Sequence, residues 1–135
     1  MDHDLRAAPF FDEHLPVRVL ERGGGRIVLT CSFTGEHLNA AGALHGGLLA
    51  SLLDMGVAGA AAAAVADGDG TYGITLTMTI NYVRAVGAGP VRCEGTTIGG
   101  GNTTKFAEAR VFADGDADQP VATASGAVRV IRMPE

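Results

Sequence analysis

The segment NAAGALHGGLLASLLDMGVAGAAAAAVA, Asn39 to Ala66, restricts the fold of this chain more than any other stretch. From His45 to Ala66 it reads as one helix, about 33 Å long at 1.5 Å per residue. Its polar residues are His45, Ser51 and Asp54. A helix apolar nearly all round is expected to be buried nearly all round. It therefore needs a layer that wraps it, and the small residues of Met55–Ala66 let such a layer come close. Two choices cost stability if the segment is only core. Gly46 and Gly47 open the helix where stronger helix formers would suit. Asp54 places a carboxylate mid-helix, and a buried carboxylate needs a partner or a function.

The wrapping layer is legible as strands. In VRVLERGGGRIVLTCSF, Ile27, Leu29, Cys31 and Phe33 are expected on one face and Arg26, Val28, Thr30 and Ser32 on the other, and Gly23, Gly24 and Gly25 supply a hairpin turn. In ITLTMTINYV, Ile74, Leu76, Met78, Ile80 and Tyr82 are expected on one face, with Thr75, Thr77, Thr79 and Asn81 on the other. Further strands follow at Val91–Ile98, Thr104–Phe112 and Val121–Ile131, each set off by glycine-rich or DGDADQP-type turns. The expected order is two strands, the helix, then a four-strand meander. Residues 1–135 form a single α+β domain in this reading, an antiparallel sheet around one long central helix. Residues 1–15 are an N-terminal arm or short helix, with Leu5–Phe11 as the helical candidate.

Charge and composition remove several functions. A net charge of −5 argues against a nucleic-acid surface, which carries a basic stripe. The start MDHDLRAAPFFDEHLP lacks the apolar region of a signal peptide. A membrane span over the helix is disfavoured: Asp54 at its centre would cost roughly 2.5–3.5 kcal/mol, and Gly and Ala gain little on transfer. The expectation is a cytoplasmic chain with no membrane partner. Cys31 and Cys93 are far apart and read as reduced, buried thiols. The four histidines show no ligand spacing, so no metal and no cofactor are expected. GGGNTTK lacks the G-x-x-x-x-G-K-[ST] pattern and is not a P-loop.

The string Asn39, Gly42, His45-Gly46-Gly47, Asp54, placed at a loop-to-helix junction and followed by GITLTMTINY, resembles the hotdog-fold acyl-CoA thioesterases. It is closest in pattern to the PaaI-like, phenylacetate-degradation branch of the 4-hydroxybenzoyl-CoA thioesterase superfamily. The resemblance spans about Pro16 to Ile131. The dehydratase branches of the same fold fit less well, because there is no HFPG-type segment and Gly59 stands where their histidine would follow the Asp.

That resemblance implies roles. Asp54 would be the catalytic carboxylate, as nucleophile or as general base on water. The Gly46 backbone N–H would receive the thioester oxyanion, at a helix end that presents unpaired N–H groups. His45 would hold the loop and contact the thioester, or serve only as a helix cap. Asn39 would orient water or the thioester, or serve only in a turn. Thr75 would assist the carboxylate. Gly47 and the loop residues Asn102, Thr103, Thr104 and Lys105 would bind substrate, the loop bordering the nucleotide tail with Arg84 or Arg92 nearby. An acyl pocket is expected between the helix and the partner's strands, with Leu48, Leu49, Leu52 and Leu53 as lining or as plain core.

Geometry adds one constraint. Gly46 and Asp54 lie roughly 12 Å apart along one helix, whereas attack needs the reacting atoms within ~3–3.5 Å. Two antiparallel helices in a homodimer would resolve this, Asp54 of one chain facing Asn39, His45 and Gly46 of the other. The expected function is hydrolysis of an acyl-CoA by a homodimer, assembled as a dimer of dimers, with coenzyme A as part of the substrate. Alternatives are a hotdog module that binds acyl-CoA or an acyl carrier without turnover, and a purely structural oligomer.

Overall fold

The structure, a computed structural model, describes residues 13–65 and 70–132. The 1–12 part of the expected arm, including Leu5–Phe11, lies outside the described residues. Strands β1 (Val17–Gly23) and β2 (Arg26–Phe33) form the first hairpin. Gly24 and Gly25 at its turn have φ of 60° and 78°, a region glycine enters without steric cost. A 3-10 turn over Gly35–His37 and a short loop lead to helix α1 (Gly46–Ala63). Then come β3 (Thr71–Tyr82), β4 (Gly89–Gly100), β5 (Thr104–Ala113) and β6 (Ala122–Arg132). The six strands make one antiparallel sheet carrying a single long helix, the α+β architecture expected from the sequence.

The strand order is β1-β2-β4-β5-β6-β3, which corrects the four-strand meander. Of the last four strands, β4, β5 and β6 are consecutive neighbours, whereas β3 crosses to the far edge and pairs with β6. The reason lies in the segment after β3. Val83 and Arg84 donate to the Val121 carbonyl, and Leu44 donates to that of Val86 at 2.8 Å. These bonds carry the chain across the sheet end beneath the start of α1, so it cannot turn straight back into a hairpin.

The alternation in β3 also needs correction. A bulge between Thr75 and Thr77 makes Leu76 an extra residue. Before it, Thr71 and Gly73 face the helix: the Thr71 hydroxyl donates to the Ala62 carbonyl, and Gly73 lies against the Ala58 carbonyl. After it, Met78, Ile80 and Tyr82 take the helix side. Ile74 and Leu76 are therefore exposed, and Thr75 points inward with Thr71 and Gly73. Just past the bulge, paired with Met78, stands Gly126, where a Cβ would strike the Thr77 carbonyl.

In β2 the expected inner face, Ile27, Leu29, Cys31 and Phe33, is buried, but Val28 on the opposite face is buried too, so the alternation is incomplete. Helix α1 buries Leu49, Leu52, Leu53, Val57, Ala60 and Ala61 on the sheet. It is long and apolar enough to cross a membrane by composition, yet half of it is packed inside the domain. It is not buried all round. Gly47 and Asp54 are exposed, and Ser51 and Ala58 half-buried, along one stripe turned away from the sheet. One sheet has one inner face, so a single chain leaves the opposite stripe bare.

Close backbone approach sets the helix-to-sheet distance. A Cβ on Gly95 would overlap the Gly56 carbonyl, and one on Gly56 would come within 2.8 Å of the Cys93 sulfur. Gly95→Ala is expected to cost about 1–3 kcal/mol, read as a lower midpoint in thermal or urea unfolding. Gly101→Ala, where nothing lies within 4 Å, should stay within about 0.5 kcal/mol. Burial also raises the Cys31 thiol to about 11 and that of Cys93 to about 12, from a usual value of 9.0. The folded state thus holds these protons where the unfolded state loses them. Stability from this source is full below pH ~9 and declines as pH rises toward 11–12. Urea midpoints from pH 8 to 11 should fall less in a Cys31→Ala/Cys93→Ala variant than in the parent.

Candidate functional site

The loop before α1 is a tied structure. Asn39 Oδ1 accepts from the N–H groups of Ala41 (2.9 Å) and Ala43 (3.1 Å), and Asn39 N–H donates to the Ala43 carbonyl. Gly42 sits at φ 81° to close this turn. Asn39 therefore shapes the loop through both its side chain and its backbone. A short bridge joins Leu38 to Leu44. The His45 N–H donates to the His37 carbonyl, and the His45 carbonyl accepts from Leu48 and Leu49 to start the helix. The His45 side chain makes no capping bond and is exposed. Among the described residues it stands at the helix entry without capping the helix through its side chain.

Gly46 and Gly47 follow, and their N–H groups take no partner among the described residues. These are the helix-end donors that carry partial positive charge. The two glycines differ in surroundings. A Cβ on Gly46 would lie 3.1 Å from the Tyr82 ring, whereas nothing stands within 4 Å of one on Gly47. The Tyr82 hydroxyl donates to the Gly46 carbonyl at 2.8 Å. Beside them a cleft of about 300 Å³ opens, lined by Ala43, Leu44, Gly46, Leu49, Tyr82 and the Arg84–Val86 segment. Of the four leucines named for a pocket against the partner's strands, Leu49 borders this cleft within one chain, Leu48 is half-buried against the core, and Leu52 and Leu53 are fully enclosed core. A larger recess at the hairpin tip, by Glu21, Arg22 and Arg26, lies against charged side chains on a separate part of the sheet.

Arg84 at the cleft edge is neutralised within the fold. Its guanidinium bonds Asp116 at 3.1 Å and the Gln119 carbonyl. The Asp118 N–H, Arg84 and the Gln119 N–H together hold the Asp116 carboxyl below its usual range. Arg92 lies elsewhere, over the Phe112 ring and beside Glu94. Neither arginine joins the Asn102–Lys105 loop, contrary to expectation.

Asp54 is on the bare stripe of α1, more than two turns past Gly46, so one chain keeps the two apart. Successive contacts along β3 pair Thr71 with Ala62 and Gly73 with Ala58. One further step of two strand residues against four helix residues would put Thr75 level with Asp54. The Thr75 hydroxyl is buried without a hydrogen-bond partner among the described residues, a costly state unless something meets it. The Asn102–Lys105 turn sits at the sheet end below the C-terminal half of α1. There Thr104 pairs with Arg129, Lys105 with Val128, and Val128 with Thr75. The expected site residues thus form two groups in one chain: Asn39, His45, Gly46 and Gly47 at one helix end, and Asp54, Thr75 and the loop toward the other. Among the described residues no group of three or more His, Cys, Asp or Glu side chains could hold a metal.

Two residues escaped the sequence reading. Tyr82 looked like one more apolar position of a strand. His37 is buried, accepting the Thr34 N–H at Nδ1 (2.9 Å) and donating from Nε2 to the His14 carbonyl. Its backbone holds His45, so it braces the helix entry. Its spacing from His45 carried no signal; only the fold joins them.

Residues 41–119 match the family model of the Thioesterase superfamily. No curated protein matches the chain by sequence. Among solved structures, a mutant of the phenylacetic acid degradation protein PaaI from Thermus thermophilus is 28% identical, with TM-score 0.72, covering 90% of this chain and 97% of that one. A thioesterase from Haemophilus influenzae superposes with TM-score 0.80 at 20% identity, covering 97% and 88%. A Streptococcus mutans protein bound to acetyl CoA has TM-score 0.72 at 23% identity, covering 88% and 91%. The matched segment contains the His45-Gly46-Gly47 junction, Asp54 and strands β3 to β5, and with this sheet-and-helix architecture the chain belongs to the thioesterase superfamily as a PaaI-like, hotdog-fold thioester hydrolase.

Proposed function

We propose that the chain hydrolyses acyl-CoA in two sites shared across a homodimer, Asp54 of one subunit serving the Gly46 end of the other. The observation that carries this reading is the separation of the two groups in one chain, each reaching the surface and each chemically incomplete. A protein of this fold that holds acetyl CoA supports the substrate class.

The two sheet edges favour a particular dimer. The β1 edge carries Arg18, Glu21 and Arg22 and a bulge after Val19, features that discourage pairing. The β3 edge runs twelve residues, TYGITLTMTINY, without a charge or a proline. It exposes Ile74 and Leu76 beside the bare helix stripe. Pairing of two β3 edges about a two-fold axis would run the helices antiparallel. The Gly46 end of each would then approach the Asp54 half of the other. Exposed Ile98 and Phe106, on β4 and β5, leave apolar surface for a dimer of dimers.

In this site the thioester carbonyl oxygen accepts from the Gly46 N–H. Asp54 takes a proton from water as the water oxygen adds to the carbonyl carbon. The oxyanion collapses, the C–S bond breaks, and the leaving thiolate receives the proton from Asp54. In the nucleophilic variant, the Asp54 carboxylate adds to the carbonyl itself, thiolate leaves, and water cleaves the resulting anhydride. Single-turnover hydrolysis in oxygen-18 water separates the two, because only the anhydride route can leave label in the protein. Thr75 would donate its hydroxyl to the carboxylate. The Asn39 NH2 and the His45 ring would position water or thioester. Gly47 and Asn102, Thr103, Thr104 and Lys105 would receive the pantetheine and phosphates.

Asp54→Asn is expected to lower acyl-CoA hydrolysis by orders of magnitude, with the thermal midpoint held or raised, since it removes an exposed charge from an apolar stripe. Thiol release from a panel of acyl-CoAs measures this. Undiminished activity in the variant would remove Asp54 from the mechanism, and binding without release by the parent would favour the acyl-binding module. Thr75→Val should cost less, about 10-fold or below, in keeping with one hydrogen bond of ~0.5–1.5 kcal/mol.

A further inference from the structure

We infer that Tyr82 sets the length of acyl chain this protein accepts, its ring forming the wall of an acyl cleft that adjoins Gly46. The inference rests on the thioesterase reading above and adds the substrate class.

Gly46 contributes both the free N–H at the helix end and part of the cleft wall, so a thioester carbonyl held there has its acyl substituent at the cleft mouth. The remaining lining is apolar: Ala43, Leu44, Leu49, Ala85 and Val86. Among the described lining residues Arg84 is the charged one, and one of its guanidinium nitrogens bonds Asp116 and the Gln119 carbonyl. Apart from Arg84 the lining suits an uncharged hydrocarbon group. Its volume is about 300 Å³. At roughly 30 Å³ for each water-sized unit, that admits about ten non-hydrogen atoms.

Tyr82 is fixed where it bounds this space. Its hydroxyl bonds the Gly46 carbonyl at 2.8 Å, and its ring lies 3.1–3.3 Å from where a Cβ of residue 46 would be. The two residues fit each other: glycine leaves room for the ring, and the ring occupies it. The bulge at Leu76 makes this possible, because it turns Tyr82 to the helix side together with Met78 and Ile80. The hydroxyl bond to the Gly46 carbonyl tethers the ring at the cleft wall, although the residue stays exposed.

Straight-chain acyl-CoAs from C2 to C16, assayed by thiol release, test this. In the parent, kcat/KM should rise about fourfold per added methylene while the chain still fits, then stop rising near ten carbons. Tyr82→Ala should move that limit outward by about three carbons, and Tyr82→Trp should move it inward. Opposite shifts are not expected of a residue that only supports the fold. A limit left unchanged in both variants, with thermal midpoints near the parent's, overturns the inference. If the parent releases no thiol from any chain, the thioesterase reading fails instead. Calorimetric binding of non-hydrolysable acyl-CoA thioethers then reads the same length limit independently.

Discussion

The contact between the Gly56 carbonyl of the helix and Gly95 of β4 governs both the packing of the domain and the direction its polar residues face. It seats α1 on the sheet at backbone distance, with Cys93 and Ala109 filling the small space beside it. At that distance the sheet can curl against the helix with few large side chains, which fits a chain of 47% apolar but only 5% aromatic residues. The helix rotation is fixed at the same time. Leu49, Leu52, Leu53 and Val57 go inward, and Gly47 and Asp54 go outward. Within one chain a carboxylate sits mid-helix without burial because one sheet covers only one side.

The end of the helix is built on a separate principle. Here the backbone itself is the functional group, and the surrounding residues hold it open. Asn39 and Gly42 shape the loop, His37 anchors His45 through its carbonyl, and Tyr82 grips the Gly46 carbonyl from the far side. Oriented N–H dipoles held this way need little reorganisation when charge develops on a substrate oxygen. The adjacent cleft is apolar apart from Arg84, which bonds Asp116, so an acyl group and an oxyanion would each find a suitable surface close together.

Much of this was legible in the sequence. The inner face of β2 could be read directly, and Ile27, Leu29, Cys31 and Phe33 are all buried. The Asn39 to Asp54 string identified both the helix entry and the family. Alternation misled in β3, because Leu76 fits the pattern that its own bulge breaks. The signal was remote: Gly126 in the partner strand, where a side chain would collide with the Thr77 carbonyl beside the bulge. The strand order was illegible for a related reason. GAGP looks like a hairpin turn, and nothing local reveals that Leu44 and Val121 capture the preceding residues. Asp54 looked buried because its neighbours are apolar; the periodicity of a helix does not state how many sides its surroundings cover.

If neither chain alone holds a complete site, a mixed dimer tests that most directly. Asp54→Asn and Gly46→Pro chains, each folded and inactive alone, are co-expressed with different tags and purified through both. One site of such a pair retains Asp54 from one chain and Gly46 from the other, so it should recover about half of the parental activity per dimer. A mixed dimer as inactive as its two parents would contradict a site shared between subunits.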